Sequence, residues 1–219
     1  MRADQRDRNW GQSGAEQSVG NYPDGSTARG RILYRLGRTD EALACLKKAT
    51  QSNAADGEAW HLLGAAMLER GQNTEAATAF ASAAEAREPY PAARCYLAVL
   101  ALARKDPAAA RKELAALRQA VPQHWEARLL AAYLGASVAE ARQIESDDPA
   151  DPRAVWVLLA AAKKSGDARA AAYAQGALDD LLKEPGAAAR LAEFEALTQG
   201  RYVAPARLHK AGPTSGPAP

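Results

Sequence analysis

The residues best suited to chemistry are too dispersed to form a recognisable catalytic or metal site. The three histidines, His61, His124 and His209, fall in different parts of the chain. No pair of histidines or cysteines has the spacing of a zinc site, such as CxxC or HExxH. The sequence also lacks a glycine-rich phosphate loop and a GxSxG motif. We therefore predict no cofactor, no bound metal and no enzymatic activity.

The remaining reactive residue types fit structural roles. Cys45 and Cys95 are far apart, and each lies among apolar neighbours. This predicts two small buried hydrophobic side chains rather than a disulfide or a reactive thiol. The carboxylates of Glu69, Glu126 and Asp147 are spread over predicted surfaces and capping sites, which favours solvated charges over an acid–base pair.

The bulk properties exclude two classes of partner. The net charge is +2, and acidic and basic residues are interspersed. A nucleic-acid surface needs a concentrated positive field, so we predict no nucleic-acid partner. No run of 18 apolar residues occurs and the N-terminus lacks a hydrophobic signal region, so we predict no membrane insertion and a cytoplasmic location.

The elements that position these residues are helices, and residues 57–88 show the pattern most clearly. The first helix carries one apolar stripe at Trp60, Leu63, Gly64 and Met67. After a break at Gly71, the second helix carries a stripe at Ala76, Phe80 and Ala83. The small Gly64 lets the helix axes approach closely, and Trp60 and Phe80 are predicted to fill the space between them.

The hairpin pattern returns every 34 residues. Gly30, Leu33 and Gly37 precede Gly64, Met67 and the turn residue Gly71 by this interval, and Leu97, Ala98 and Ala101 follow Leu63, Gly64 and Met67 by the same interval. The second stripe recurs at Ala42, Leu46 and Ala49, and at Ala110, Leu114 and Leu117, with Pro122 closing the third unit. Side chains predicted to cap helices are those of Thr39, Asn73, Asp106, Asp151 and Asp167.

A helix–turn–helix period of 34 residues resembles the tetratricopeptide repeat family. The matching residues are Trp60, Leu63, Gly64, Met67, Gly71, Ala76, Phe80, Ala83 and Pro122. The resemblance implies an all-α fold, a right-handed α-solenoid of stacked helix–turn–helix repeats. An amphipathic helix at 187–198 is predicted to be its C-terminal capping helix. The alternative is an alanine-rich helical bundle with accidental spacing.

The predicted array covers residues 26–200, between disordered tails at 1–25 and 201–219. The predicted repeats are 23–56, 57–90, 91–124, an irregular unit at 125–151, and 152–185. Trp156 lies 96 residues after Trp60, where three full repeats would give 102, so six residues are missing from the irregular unit. In the last repeat Gly176 falls at the position of Phe80, which predicts looser packing.

The resemblance also implies that the first helices of successive repeats line a concave groove. Carried over by the register of Trp60, the predicted groove residues are Arg31, Tyr34, Arg35, His61, Leu68, Glu69, Cys95, Val99, Leu102, Leu129 and Tyr133. This groove is basic at its front and apolar or aromatic further along, which suits a peptide or helix with apolar anchors. Alternatively, these apolar residues pack against neighbouring helices and the arginines are only solvated.

Three functions remain open on this basis. The leading hypothesis is a non-catalytic protein–protein interaction scaffold that binds a peptide or helix in the groove. The second is an accessory helical-repeat subunit of an enzyme system, with a sulfotransferase- or glycosyltransferase-like partner. The third is an RNA-binding helical repeat, which the near-neutral charge disfavours. The exposed ends of the array also leave a homodimer open.

Overall fold

The computed structural model describes Gly14 and residues 17–201, and in this range the protein is built from helices. The helices are α1 (Thr27–Arg35), α2 (Thr39–Ser52), α3 (Gly57–Glu69), α4 (Asn73–Glu85), α5 (Ala93–Ala103), α6 (Pro107–Ala120), α7 (Trp125–Gly135), α8 (Val138–Asp147), α9 (Pro152–Ser165), α10 (Ala168–Leu181) and α11 (Ala187–Thr198). They form two compact units, one ending at Tyr90 and one beginning at Pro91.

Most of the two predicted tails lies outside the described residues, namely 1–13, 15–16 and 202–219. Within the predicted N-terminal tail, residues 17–20 are helical and Val19 is only 5% exposed. Among the helices described, none is both long and apolar enough to cross a membrane.

The N-terminal unit consists of two hairpins, α1–α2 and α3–α4, with α2 packed against α3. Each hairpin closes around a glycine on its first helix. A Cβ built on Gly30 would lie 2.4 Å from Leu46 Cδ2, and one on Gly64 would lie 2.9 Å from Phe80 Cε1. The predicted close approach of the helix axes is therefore confirmed, and a larger residue at either position would have to displace the facing side chain.

The two aromatic residues of the second hairpin differ in their burial. Phe80 is fully buried, as predicted. Trp60 is half-buried, and its indole Nε1 donates a hydrogen bond to the carbonyl of Ala54 at 3.1 Å. Trp60 thus also secures the loop before α3, because its ring nitrogen needs a polar partner that the space between the helices does not offer.

Three of the five predicted caps are confirmed. The side chains of Asp106, Asp151 and Asp167 accept hydrogen bonds from backbone N–H groups of the first turns of α6, α9 and α10. The predictions for Thr39 and Asn73 are wrong by one position, because each is the first residue of its helix. Thr39 is buried and its hydroxyl instead donates to Glu69 Oε2 at 3.1 Å.

The C-terminal unit contains the hairpins α5–α6, α7–α8 and α9–α10, followed by α11. The shortening predicted for the fourth hairpin is present. Helix α8 has 10 residues where the second helices of the other hairpins have 13 or 14. Only Ala136 and Ser137 connect it to α7, and Ala136 adopts φ 51° to make this turn.

The prediction that Gly176 takes the place of Phe80 in the fifth hairpin is wrong. Gly176 is exposed, and a Cβ built there would meet nothing within 4 Å. The buried residues of α10 are Ala170, Ala174 and Leu178. Ala170 and Ala174 repeat the four-residue spacing of the buried Ala76 and Phe80 of α4, so Ala174 takes the buried position that Phe80 has in the second hairpin.

We expect Gly64→Ala to lower the free energy of unfolding by about 1–3 kcal/mol, because the new methyl group overpacks against the Phe80 ring. Urea-induced unfolding followed by circular dichroism measures the change. Adding Phe80→Leu should restore part of the loss. The matched control is Gly176→Ala, in a helix with open space around it, which should be neutral or stabilising. Equal effects of the two glycine substitutions would contradict the close contact.

A second prediction concerns the turn after α5. Lys105 has φ 59° at the position that glycine occupies in the first two hairpins, as Gly37 and Gly71. Lys105→Gly should raise the free energy of unfolding by about 1 kcal/mol, because glycine adopts the left-handed region without the Cβ penalty. The reciprocal change, Gly71→Lys, should cost a similar amount, since a Cβ there meets no neighbour. Urea titrations in which both changes have the same sign would refute this account.

Candidate functional site

Each hairpin contributes a first helix, and the predicted groove residues all lie on these helices. We call the surfaces of α1 and α3 that carry them the N-terminal face. We call the corresponding surfaces of α5, α7 and α9 the C-terminal face. Because the protein forms two compact units, the two faces are described separately.

The N-terminal face offers two arginines to solvent. Arg31 and Arg35 are exposed and lie one turn apart on α1. Arg31 Nη1 forms an ion pair with Glu58 Oε1 of α3 at 2.7 Å. Tyr34 and Leu68 are only 4% and 7% exposed, so their side chains belong to the core of the unit.

His61 on α3 is the histidine of the N-terminal face. Its ring stacks on Tyr90 with the centroids 4.4 Å apart, and is inclined to Phe80 at 5.6 Å. Burial lowers the pKa of His61 to about 4, so the imidazole is neutral at pH 7. His61 therefore acts as part of an aromatic cluster. The neighbouring groove residue Glu69 is half-buried and accepts the hydrogen bond from Thr39.

Three of the predicted residues of the C-terminal face are buried in the core of their unit. Leu129, Val99 and Cys95 are 0%, 2% and 8% exposed. Their packing against neighbouring helices is the alternative that the sequence had left open. Burial, together with the negative charge of Glu126, raises the pKa of the Cys95 thiol to about 12, which keeps this cysteine protonated and unreactive.

The half-buried members of the C-terminal face are Leu102 and Tyr133, and both pack against the core. The Tyr133 ring stacks on Trp156 of α9, with the centroids 5.3 Å apart and the planes at 24°. Trp156 was missed as a surface residue by the sequence, because the short fourth hairpin interrupts the register used to assign the groove. The sequence signal that could have identified Trp156 is its place on the apolar stripe of α9.

Helix α11 lies against this C-terminal face. It has the bounds predicted for the capping helix, and it packs against α9 and reaches α5, which are both first helices. The Phe194 ring meets Trp156 edge-on, with the centroids 5.9 Å apart and the planes at 87°. Leu191 and Phe194 belong to the same continuous core as Val99. The C-terminal face thus already holds an amphipathic helix.

The segment that follows α11 sits close against α5. Gly200 has φ 72°, and a Cβ built on it would lie 2.1 Å from the backbone nitrogen of Ala103. No side chain fits in this space without moving backbone atoms. Gly200 therefore fixes the end of α11 on the C-terminal helical turn of α5.

A polar cluster at the start of α9 is structural in character. Asp151 is 6% exposed and accepts a hydrogen bond from Trp125 Nε1 at 2.8 Å and further hydrogen bonds from Arg153. Burial favours a higher pKa for this carboxyl, but the hydrogen bonds from Arg153 and Trp125 outweigh it and hold the pKa below its usual value. The cluster joins α7 to α9. No group of three or more potential metal ligands occurs among the described residues.

The comparisons with known proteins agree on the fold. The family model described as "Tetratricopeptide repeat" matches residues 27–94 and 66–124. The crystal structure of YrrB, described as "a TPR protein with an unusual peptide-binding site", superposes with a TM-score of 0.61. Its sequence is 14% identical, and the match covers 80% of this chain and 95% of that one, so the similarity establishes the shared fold. No curated protein sequence matches significantly.

The neutral state of His61 predicts a pH-dependent stability. Its folded pKa of about 4 lies below the ordinary value of 6.5, so protons bind the unfolded chain more readily between these values. Stability contributed by neutral His61 is therefore present above pH 6.5 and is lost as the pH falls towards 4. Between pH 7 and 4.5 we expect a loss of about 2–3 kcal/mol from this group.

Urea unfolding of the wild type and of His61→Phe at several pH values tests this expectation. The variant keeps an aromatic ring against Tyr90 but carries no titrating group, so its loss over this pH range should be smaller. His124→Asn, which removes a histidine from the C-terminal unit and keeps a capping acceptor, is the control. Parallel pH profiles for wild type and His61→Phe would show that His61 is not held neutral.

Proposed function

Because this chain is a tetratricopeptide repeat protein, we propose that it is a non-catalytic interaction scaffold that holds a peptide or helix against the first helices of its hairpins. The main observation in support of this proposal is that α11 packs against the C-terminal face. That face accommodates a helix through apolar and aromatic side chains, which is the helix-in-groove mode of peptide recognition. The peptide-binding site named for the similar structure of YrrB is consistent with this function.

The C-terminal face has the composition of a site for an apolar anchor. Leu102, Tyr133 and Trp156 are half-buried and project from three different first helices. Aromatic side chains that are partly buried and held by stacking lose little conformational freedom when a partner binds. These three residues therefore favour binding through a few large apolar side chains.

The N-terminal face has a different chemistry. Arg31 and Arg35 are exposed on α1, and Glu58 forms an ion pair with Arg31. A guanidinium group binds carboxylates through paired hydrogen bonds. We assign these two arginines to an acidic segment of a partner.

The absence of catalysis is supported by the state of the reactive side chains. His61 is kept neutral and Cys95 is kept protonated by burial. The Asp151 carboxylate is bound by Arg153, and that of Asp147 forms an ion pair with Arg128. None of these groups combines a suitable pKa with access to a substrate.

Peptides selected from a random library on the wild-type chain test the proposed function. We expect Leu102→Ala and Tyr133→Ala each to weaken their binding at least about tenfold, as removal of an apolar anchor contact does, with helical content almost unchanged. The control is Val121→Ala, because Val121 is 37% exposed but lies at the end of α6, a second helix. Fluorescence polarisation gives the affinities. Equal binding to all three variants would place the peptide site elsewhere.

A further inference from the structure

We propose that α11 is a displaceable occupant of the C-terminal face, and that the partner for this face is an amphipathic helix with leucine, phenylalanine and leucine at positions i, i+3 and i+6. This inference rests on the proposed function and specifies its partner. The spacing is that of Leu191, Phe194 and Leu197, the apolar residues with which α11 meets the core. A partner helix with this stripe replaces α11 by making the same contacts.

Helix α11 does not continue the stacking order of the repeats. At the earlier junctions within each unit, the second helix of one hairpin packs against the first helix of the next, as in α2–α3, α6–α7 and α8–α9. Helix α11 follows α10 but makes its main contacts with α9 and α5. It therefore occupies a surface made by first helices, where a ligand would bind, instead of extending the stack.

Few side chains hold α11 in place. Its buried residues are Ala187, Leu191 and Phe194, whereas α9 has eight buried residues. The outer face of α11 is exposed at Ala188, Ala189, Arg190, Ala192 and Glu193. Segments with few buried apolar contacts open at lower free energy than the core. Helix α11 buries far fewer residues than α9, so it can open at a lower free energy than the first helix on which it lies.

The two ends of α11 differ in how closely they are packed. On its N-terminal side, residues 182–186 are exposed, and Gly186 has φ 80° with open space around it. This connection can change direction without disturbing α10. On its C-terminal side, Gly200 lies against Ala103 in a space too small for any residue with a Cβ atom. The N-terminal end of α11 is thus joined by a flexible connection, whereas its C-terminal end is held by the close contact of Gly200 with α5.

Separation of α11 would uncover the ring of Trp156 and the apolar side chains around it. Phe194 meets this ring edge-on, and Tyr133 stacks on it from α7. The edge-on arrangement is a favoured geometry for aromatic pairs, so a phenylalanine in the partner is the matching anchor. Because α11 is tethered, its effective concentration is roughly millimolar, and a free helix must compete with it.

Binding of a labelled peptide of residues 186–201 to the full chain tests the proposal. Gly200→Ala should release the C-terminal end of α11, since its methyl group would clash with the backbone of α5, and it removes no side chain of the C-terminal face. We expect this variant to bind the peptide at least about tenfold more tightly than the wild type, because the competing helix is weakened. A peptide carrying Phe194→Ala should bind at least about tenfold more weakly.

The matched control is Gly71→Ala. It has φ 71°, close to the 72° of Gly200, but no atom lies within 4 Å of the added methyl group. It carries the same backbone strain in the other unit and should bind the peptide as the wild type does. Amide hydrogen exchange followed by mass spectrometry reports on residues 187–198. In the wild type these amides should exchange faster than those of α9, and faster still in Gly200→Ala.

The possible results separate this inference from the proposed function. If the amides of α11 exchange as slowly as those of α9, or if Gly200→Ala leaves their exchange unchanged, α11 is a fixed part of the core and the inference is wrong. Library peptides that bind wild type and Gly200→Ala equally would overturn the inference but support the scaffold function. If α11 is released and no peptide binds, both fail. Dimers of Gly200→Ala in light scattering would identify a second copy as the occupant, contrary to the proposal.

Discussion

The contact between a glycine on a first helix and a large side chain on its partner is the constraint from which the architecture follows. Gly30 faces Leu46, and 34 residues later Gly64 faces Phe80. Each pair fixes how closely two helices approach, and this turns one side of the first helix inward. Its other side is left to pack against the next first helix or to form a surface. Both faces described above exist because the hairpins close in this way.

The C-terminal unit builds its hairpin cores from other residues. Ala132 and Ile144 are fully buried in the short hairpin, and Leu158 and Ala174 are fully buried in the next one. Of the latter two the larger residue, Leu158, lies on the first helix, whereas the large Phe80 of the second hairpin lies on the second helix. All four residues belong to one continuous core, so hairpins with different side chains at these sites still pack closely. In this unit, whose fourth hairpin is shorter than the others, Trp156 stacks on Tyr133.

Features that depend on the local sequence pattern were predicted correctly, whereas features that depend on contacts between distant segments were not. Helix α11 has the bounds predicted from its amphipathic pattern, and the turn predicted at Gly71 is confirmed. An apolar stripe indicates that one face of a helix is buried, but not which surface covers it. The position of α11 on α9 and α5 was therefore not predictable. The same limit applies to the groove, where the pattern did not distinguish the buried Leu129 from the half-buried Leu102.

Under the proposed function, a helix bound in cis also determines what the C-terminal face can recognise. A peptide with a single apolar anchor gains less than α11 does from its leucines and Phe194, and it competes against a tethered neighbour. Only a helix with the complete stripe can offset that disadvantage, so occupation by α11 excludes the many weakly amphipathic segments that an open apolar surface would bind. The charged N-terminal face needs no such protection, because Arg35 is exposed and Arg31 is exposed in its ion pair with Glu58, so neither side chain adds an apolar surface. The difference in chemistry between the two faces thus explains why the C-terminal one is covered.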